Sequence, residues 1–282
     1  MKFVLYAVVV VCVFIALSLV SFWLAVRPPR LTIPLAPADF RLAVEEIWIE
    51  AADGHRLSAW LVAKPGAPAI VLLHGYPAEK TDMLPLAAAL ARRFTVLLVD
   101  LRYFGQSGGR VTTLGFRERD DLRRTIDMLA GRGFDRVGVF GFSLGGAIAI
   151  TTAVDEPRIG AVAAYSPFSD LRVLAHELYA WMGPFRYPFV GLMRAWSRLF
   201  LGADVTGNPP VRAAARLAIP VYLIASRDDE QIPFRHAERL REALAANARA
   251  EYEFMERGQH GVMAPDVEQR LEQFFLRALS GS

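Results

Sequence analysis

Cysteine is nearly absent. Cys12 is the only one in 282 residues and lies inside an apolar run, which excludes a disulfide framework and a thiol-rich metal site. Valines precede it where a lipid-attachment signature would carry small residues, so that role is excluded too. An excess of one charge is also missing. Lys+Arg number 32 against 29 for Asp+Glu, with no block of like charges, and a nucleic-acid footprint is therefore not expected. Internal repeats and low-complexity tracts are lacking as well. Without staples, stability must come from a hydrophobic core, and 282 residues at 54% hydrophobic content are enough for one large domain. The charged stretch GFRERDDLRR, Gly115 to Arg124, mixes acids with its arginines and reads as a solvated helix face.

What the sequence does have is a long uncharged start. Phe3 to Val26 carries no charge, and as a helix it spans roughly 36 Å, enough for a hydrocarbon core of about 30 Å. A cleavable signal would have an apolar region of only about 7 to 15 residues. Ala16 to Ser18 could serve as a small-x-small site, but apolar sequence continues past it through LVSFWLAV. Residues 1–26 are therefore expected to be a single-pass membrane anchor, as in a bacterial inner membrane. Lys2 on one side and Arg27 and Arg30 on the other do not fix the side on which the rest of the chain lies. Residues 27–43 follow as a Pro-rich segment, with Pro28, Pro29, Pro34 and Pro37, expected to be a stiff extended spacer.

From residue 44 onward short β-branched runs alternate with helical patterns, the mark of a mainly parallel sheet flanked by helices. Val44 to Glu50 and Leu57 to Ala63 flank a turn at Asp53-Gly54 and predict an opening hairpin. Further strands are expected at Ile70–Leu73, Thr95–Asp100, Arg136–Phe140, Ile159–Tyr165, Val221–Ala225 and Tyr252–Met255. Helices are expected at Leu84–Arg92, Arg117–Ala130, Leu144–Val154, Phe234–Ala248 and Val267–Leu279. Residues 169–218 interrupt this rhythm. The interval is too long for a plain loop, carries Tyr179, Trp181, Phe185, Tyr187, Phe189, Trp196 and Phe200, and reads as a helical cap inserted into a domain spanning 44–282.

The chemistry starts at Gly141-Phe142-Ser143-Leu144-Gly145, a G-x-S-x-G pattern between a buried strand and an Ala/Ile-rich helix. A serine on so sharp a turn stands exposed at the strand end, and the glycines let strand and helix approach. Its hydroxyl needs a base, and the base needs an orienting acid. His260, in the Gly-flanked loop ERGQHGVMAP after the last strand, is the best base. His55 falls in a turn, His236 on an exposed helix face and His176 in the cap. The acid lies in IASRDDEQIP, where Asp228, Asp229 and Glu230 all follow a strand and spacing alone does not choose among them. The oxyanion of an acyl-transfer step needs two backbone N–H donors. Leu144, next to the serine, supplies one, and Tyr76 in LLHGYP is the candidate for the other.

Taken together, HGYP, DLRYFGQSGG, GFSLGGA, SRDDEQIP and GQHG stand in an order that resembles the α/β-hydrolase superfamily over roughly residues 44–279. The resemblance implies that fold, with an eight-stranded, mainly parallel sheet. Within the superfamily the chain looks like bacterial membrane-anchored members of the serine-aminopeptidase-like or dienelactone-hydrolase-like kind. Aligning Pro233 with the family pattern G-x-x-D-x-x-V-P places the acid at Asp229, with Asp170 in YSPFSD as the fallback used by some relatives. Tyr103-Phe104 stand where the family has a glycine and one other residue, which puts the local loop shape in question. The implied activity is that of a serine hydrolase of carboxylic esters with an apolar acyl or alkyl group, working through Ser143, His260 and Asp229 and calling for no metal or cofactor. Its partners would be a small acyl substrate and the membrane, not nucleic acid. Amide or thioester hydrolysis, acyl transfer, or a non-catalytic membrane-tethered binding role are the competing readings.

Overall fold

The structure is a computed structural model. It describes residues 1–264 and 266–279, so the end of the domain expected to run to residue 282 lies outside the described residues. The chain opens with helix α1 (Lys2–Val26) and passes through an extended stretch into a 3-10 turn at Pro37–Phe40. Strands β1 (Glu45–Glu50), β2 (Arg56–Val62) and β3 (Ala69–Leu73) follow, then α2 (Leu84–Leu90), β4 (Thr95–Val99), α3 (Glu118–Ala130), β5 (Val137–Phe142), α4 (Leu144–Ala153) and β6 (Ile159–Tyr165). Next come α5 (Leu171–Leu178), a 3-10 turn at Ala180–Phe185, α6 (Arg186–Leu201) and α7 (Pro210–Ala214). Strand β7 (Val221–Ser226), α8 (Arg235–Ala243), β8 (Ala250–Met255) and α9 (Val267–Leu279) complete the described chain.

Among the described residues the strands form one eight-stranded sheet in the order β1-β2-β4-β3-β5-β6-β7-β8. The β1–β2 and β2–β4 pairs are antiparallel and the rest parallel. Burial explains the strand sequences. The central strands β3, β4, β5 and β6 are buried along their whole length and, apart from Thr95 at the start of β4, read as apolar runs, as strands covered on both faces must. The edge strand β1 instead alternates, with Ile47 and Ile49 turned inward. One face packs Val71, Leu97 and Val139 against α3 and α4 through Ile126, Leu129 and Ile148. The other packs Ile70, Leu98 and Phe140 against α2 and α9 through Leu84, Phe274 and Phe275. A third cluster joins Phe22 and Val26 of α1 to Leu201 of α6.

Helix α1 is long and apolar enough to cross a membrane. The segment after it is extended and also lies against the domain. The amide of Ile33 donates to the Glu79 carboxylate at 2.8 Å, and the Tyr103 hydroxyl donates to the carbonyl of buried Pro28 at 2.5 Å. Proline fixes φ but does not keep a segment off a surface that offers donors and acceptors.

Two further expectations change in three dimensions. The Gly115–Arg124 stretch is not uniformly solvated, because Glu118 is fully buried and accepts from Thr112, Thr113 and Gly115, while Asp121 is buried against Arg102. His236 is not on an exposed face. It is fully buried in α8, where Nδ1 meets the Ser169 hydroxyl at 2.7 Å and Nε2 meets the Glu177 carboxylate at 2.8 Å. Glu177, carried by the cap helix α5, also pairs with Arg235 of α8, a contact that helical periodicity does not reveal.

Candidate active site

Strand β5 and helix α4 meet at Ser143, and the geometry of that turn follows from its glycines. A Cβ on Gly141 would fall 2.2 Å from the backbone of Gly145, and one on Gly145 would fall 2.4 Å from the Leu73 carbonyl oxygen. Only glycine lets β5, β3 and α4 come that close. Ser143 itself adopts φ +50° and ψ −111°, a conformation costing a non-glycine residue about 1–3 kcal/mol. Its amide donates to the Tyr165 carbonyl at 2.8 Å, and its carbonyl accepts from Ala147 at 3.1 Å, so the strained residue is held on both sides.

Two loops at the same sheet edge deliver partners to it. After β7, the Asp229 carboxylate accepts the amides of Gln231 (3.0 Å) and Ile232 (2.8 Å) through Oδ1, which leaves Oδ2 facing His260 Nδ1 at 2.8 Å. After β8, His260 places Nε2 3.2 Å from Ser143 Oγ. Its ring lies against Phe142 with centroids 4.8 Å apart, its amide donates to the Glu230 carboxylate at 3.0 Å, and Val262 in its loop accepts from the Tyr165 hydroxyl at 2.9 Å. The side chains of His260 and Asp229 are 5% and 2% exposed, so the pair is shielded from water.

The proton positions follow from charge. Burial works against ionising Asp229, but the hydrogen bond from His260 and the amides of Ile232 and Gln231 hold its carboxyl below the usual carboxylate range. An ionised carboxylate can only accept, so His260 Nδ1 carries the proton and donates it. Nε2 then has a free lone pair for the hydroxyl of Ser143. The arrangement can take a proton from Ser143 while the imidazolium that results faces a fixed negative charge.

Of the other acids, Asp170 caps α5 by accepting the amides of Arg172 (2.7 Å) and Val173 (3.3 Å), Asp228 donates its amide to the Ser226 hydroxyl, and Glu230 serves His260 through the backbone amide. His55 lies in the turn before β2, and His176 sits in α5 with its ring against Tyr187.

Tyr76 and Leu144 line the same cavity as Ser143, and the neighbour of Tyr76, Gly75, approaches so closely that a Cβ there would lie 3.3 Å from Ser143 Cβ. Sequence reasoning passed over His74, which holds this loop. Its Nε2 accepts from the Leu101 amide at 3.0 Å, so its proton is on Nδ1 and is donated to the Gly75 carbonyl at 2.7 Å. Complete burial keeps the ring neutral by pushing its pKa down. The signal was the residue type directly before Gly75, a titratable side chain at the end of a wholly buried strand. In the loop after β4, Tyr103 takes φ +75°, the left-handed region that favours glycine, so the tyrosine is accommodated there without a change to a right-handed turn.

Ser143 lies at a cavity of about 410 Å³ lined mostly by apolar side chains, among them Phe168, Leu174, Tyr179 and Val190 from the region between β6 and β7. That size is ordinary for a small-ligand pocket.

A family model described as alpha/beta hydrolase fold matches residues 68–200. The chain is 30% identical over 201 residues to the uncharacterized protein YqkD of Bacillus subtilis, covering 69% of this chain and 66% of that protein. It is also 30% identical over 210 residues to an uncharacterized protein of Mycobacterium tuberculosis, covering 72% of this chain and 68% of the other. It thus spans about two thirds of the length of these relatives. Among solved structures it is similar to the Pyrococcus furiosus esterase Pf2001, with a TM-score of 0.74 and 25% identity, covering 90% of this chain and 98% of that one.

Proposed function

The chain is a hydrolase of the α/β-hydrolase fold family, and on that premise we propose that it is a serine esterase cleaving carboxylic esters with an apolar acyl or alkyl group. The observation that carries the proposal is the continuous hydrogen-bonded line from Asp229 through His260 to Ser143, ending at an apolar cavity. Similarity to an esterase of Pyrococcus furiosus supports ester over amide.

In this reading Ser143 Oγ bonds to the carbonyl carbon as its proton passes to His260 Nε2, and the carbonyl electron pair moves onto oxygen. The amides of Leu144 and Tyr76 hold that oxyanion, each donor contributing about 3 kcal/mol in the transition state. Collapse breaks the ester C–O bond, and the proton on Nε2 goes to the departing alkoxide. Water then attacks the acyl-serine, giving its proton to Nε2, and the acid leaves as Ser143 is reprotonated. Asp229 keeps the imidazole in the required tautomer throughout.

We further propose that α1 tethers the enzyme to a membrane, a role supported by its length and apolar composition. Labelling of the wild type and Ser143→Ala with a fluorophosphonate probe, followed by a panel of esters, thioesters and amides, tests the reading. Ester turnover that depends on Ser143 supports it. Turnover of amides alone would replace the ester assignment.

A further inference from the structure

The inner end of α1 is built into the catalytic pocket. Phe22 and Val26 are 3% and 1% exposed, and together with Ala25 they line the cavity that contains Ser143. The outer part of the same helix stands bare, with Val8 and Val9 about half exposed. A helix leaves its last carbonyls without intrahelical partners, and here residues around the site satisfy them. The Tyr76 hydroxyl donates to the Ala25 carbonyl at 3.1 Å, and the Thr112 amide donates to that of Val26 at 2.9 Å. Farther along, Trp196 Nε1 donates to the hydroxyl of buried Ser18 at 3.0 Å, and Phe14 packs edge-on against Phe189 with ring centroids 5.5 Å apart. Beyond the helix, Tyr103 clamps Pro28 through its hydroxyl and lies under the Arg30 guanidinium at 4.8 Å. That tyrosine takes φ +75°, a left-handed conformation that non-glycine residues rarely adopt.

We infer that the last turns of α1 form a specificity-determining wall of the pocket, along which the acyl chain of the ester lies on its way to Ser143. The inference rests on the serine-esterase reading and extends it, because the helix proposed as a tether then also selects the substrate. Ala25 lines the cavity on the same helix face as Phe22 and Val26 and has the smallest side chain of the three, so it is the position at which to add bulk. Leu24 is 61% exposed and points away from it.

The test uses the full chain in detergent and compares kcat/KM for p-nitrophenyl laurate and p-nitrophenyl acetate. A single methylene in an apolar pocket changes such a constant about 10- to 200-fold, so Ala25→Trp is expected to lower the laurate-to-acetate ratio at least tenfold. Ala25→Leu, a gentler substitution that keeps the assay readable if the indole disturbs folding, is expected to shift the ratio in the same direction. Leu24→Trp, with the same added bulk one residue away, should leave the ratio within about twofold of wild type on the same scale. An unchanged ratio in both Ala25 variants, or an equal fall in Leu24→Trp, would overturn the inference while leaving the esterase reading intact. A wild type that turns over neither ester and takes no fluorophosphonate would instead bring down that reading, and this inference with it.

Discussion

The Tyr76 hydroxyl donates to the Ala25 carbonyl across 3.1 Å and so ties the loop beside Ser143 to the end of a helix that begins at Lys2. Burial pushes that phenol up to about 12, which keeps it a donor at any pH the protein meets. Tyr76→Phe removes the hydroxyl but keeps the backbone amide assigned to the oxyanion. The loss should be about 1 kcal/mol, a fall in Tm of roughly 2–4 °C by thermal melt, with ester turnover reduced much less than by loss of Asp229. Turnover abolished in a folded Tyr76→Phe protein would mean that the hydroxyl takes part in the chemistry.

Asp229 and Asp170 separate the two candidate acids by different readouts. Asp229→Asn keeps the shape but favours the wrong imidazole tautomer, and kcat should drop about 10⁴-fold. Asp170→Ala removes a helix cap and should cost about 1 kcal/mol of stability with kcat nearly unchanged. Steady-state kinetics beside thermal melts distinguishes them, and a collapse of kcat in Asp170→Ala would move the acid to the loop after β6.

Two buried histidines predict acid sensitivity. Burial lowers the pKa of both His74 and His236 from the ordinary 6.5, although Asp100 and Glu177 respectively pull the other way. The unfolded chain then binds protons that the folded chain refuses. Stability from these groups is fully present above about pH 6.5 and falls as pH drops toward their depressed native values, by at most about 1.4 kcal/mol per pH unit for each histidine. Urea midpoints measured between pH 8 and pH 5 should fall on the acid side, and His236→Gln should flatten part of the slope. A slope identical to wild type in that variant would show that His236 is not one of the groups responsible.

The sheet was legible because its central strands are buried on both faces and leave no polar alternation to misread. The expected Ile159–Tyr165 strand and Val267–Leu279 helix match their observed bounds. The turn at Ser143 was legible because its glycines stand between a buried strand and an apolar helix, and the loop of His260 because glycines flank it after a strand. What stayed hidden depends on contacts between distant segments. The burial of His236 comes from Glu177 and Ser169, some 60 residues earlier, and no helical period encodes them. The inner half of α1 is hidden for a different reason. An apolar helix face reads the same whether it meets lipid or a cap helix, and only Ser18, with its partner Trp196, marks the protein side. The cap aromatics likewise divide in a way composition does not reveal, with Trp181 and Phe185 exposed, Phe189 buried, and Tyr179 on the pocket.

Ser143 is proposed as a nucleophile activated by His260. The most direct measurement is mass spectrometry of the full chain after exposure to a fluorophosphonate, with the modified peptide sequenced. A single adduct on Ser143 is expected, absent from Ser143→Ala and strongly slowed in His260→Ala. Folded wild-type protein that stays unmodified, or carries its adduct on another residue, would contradict it.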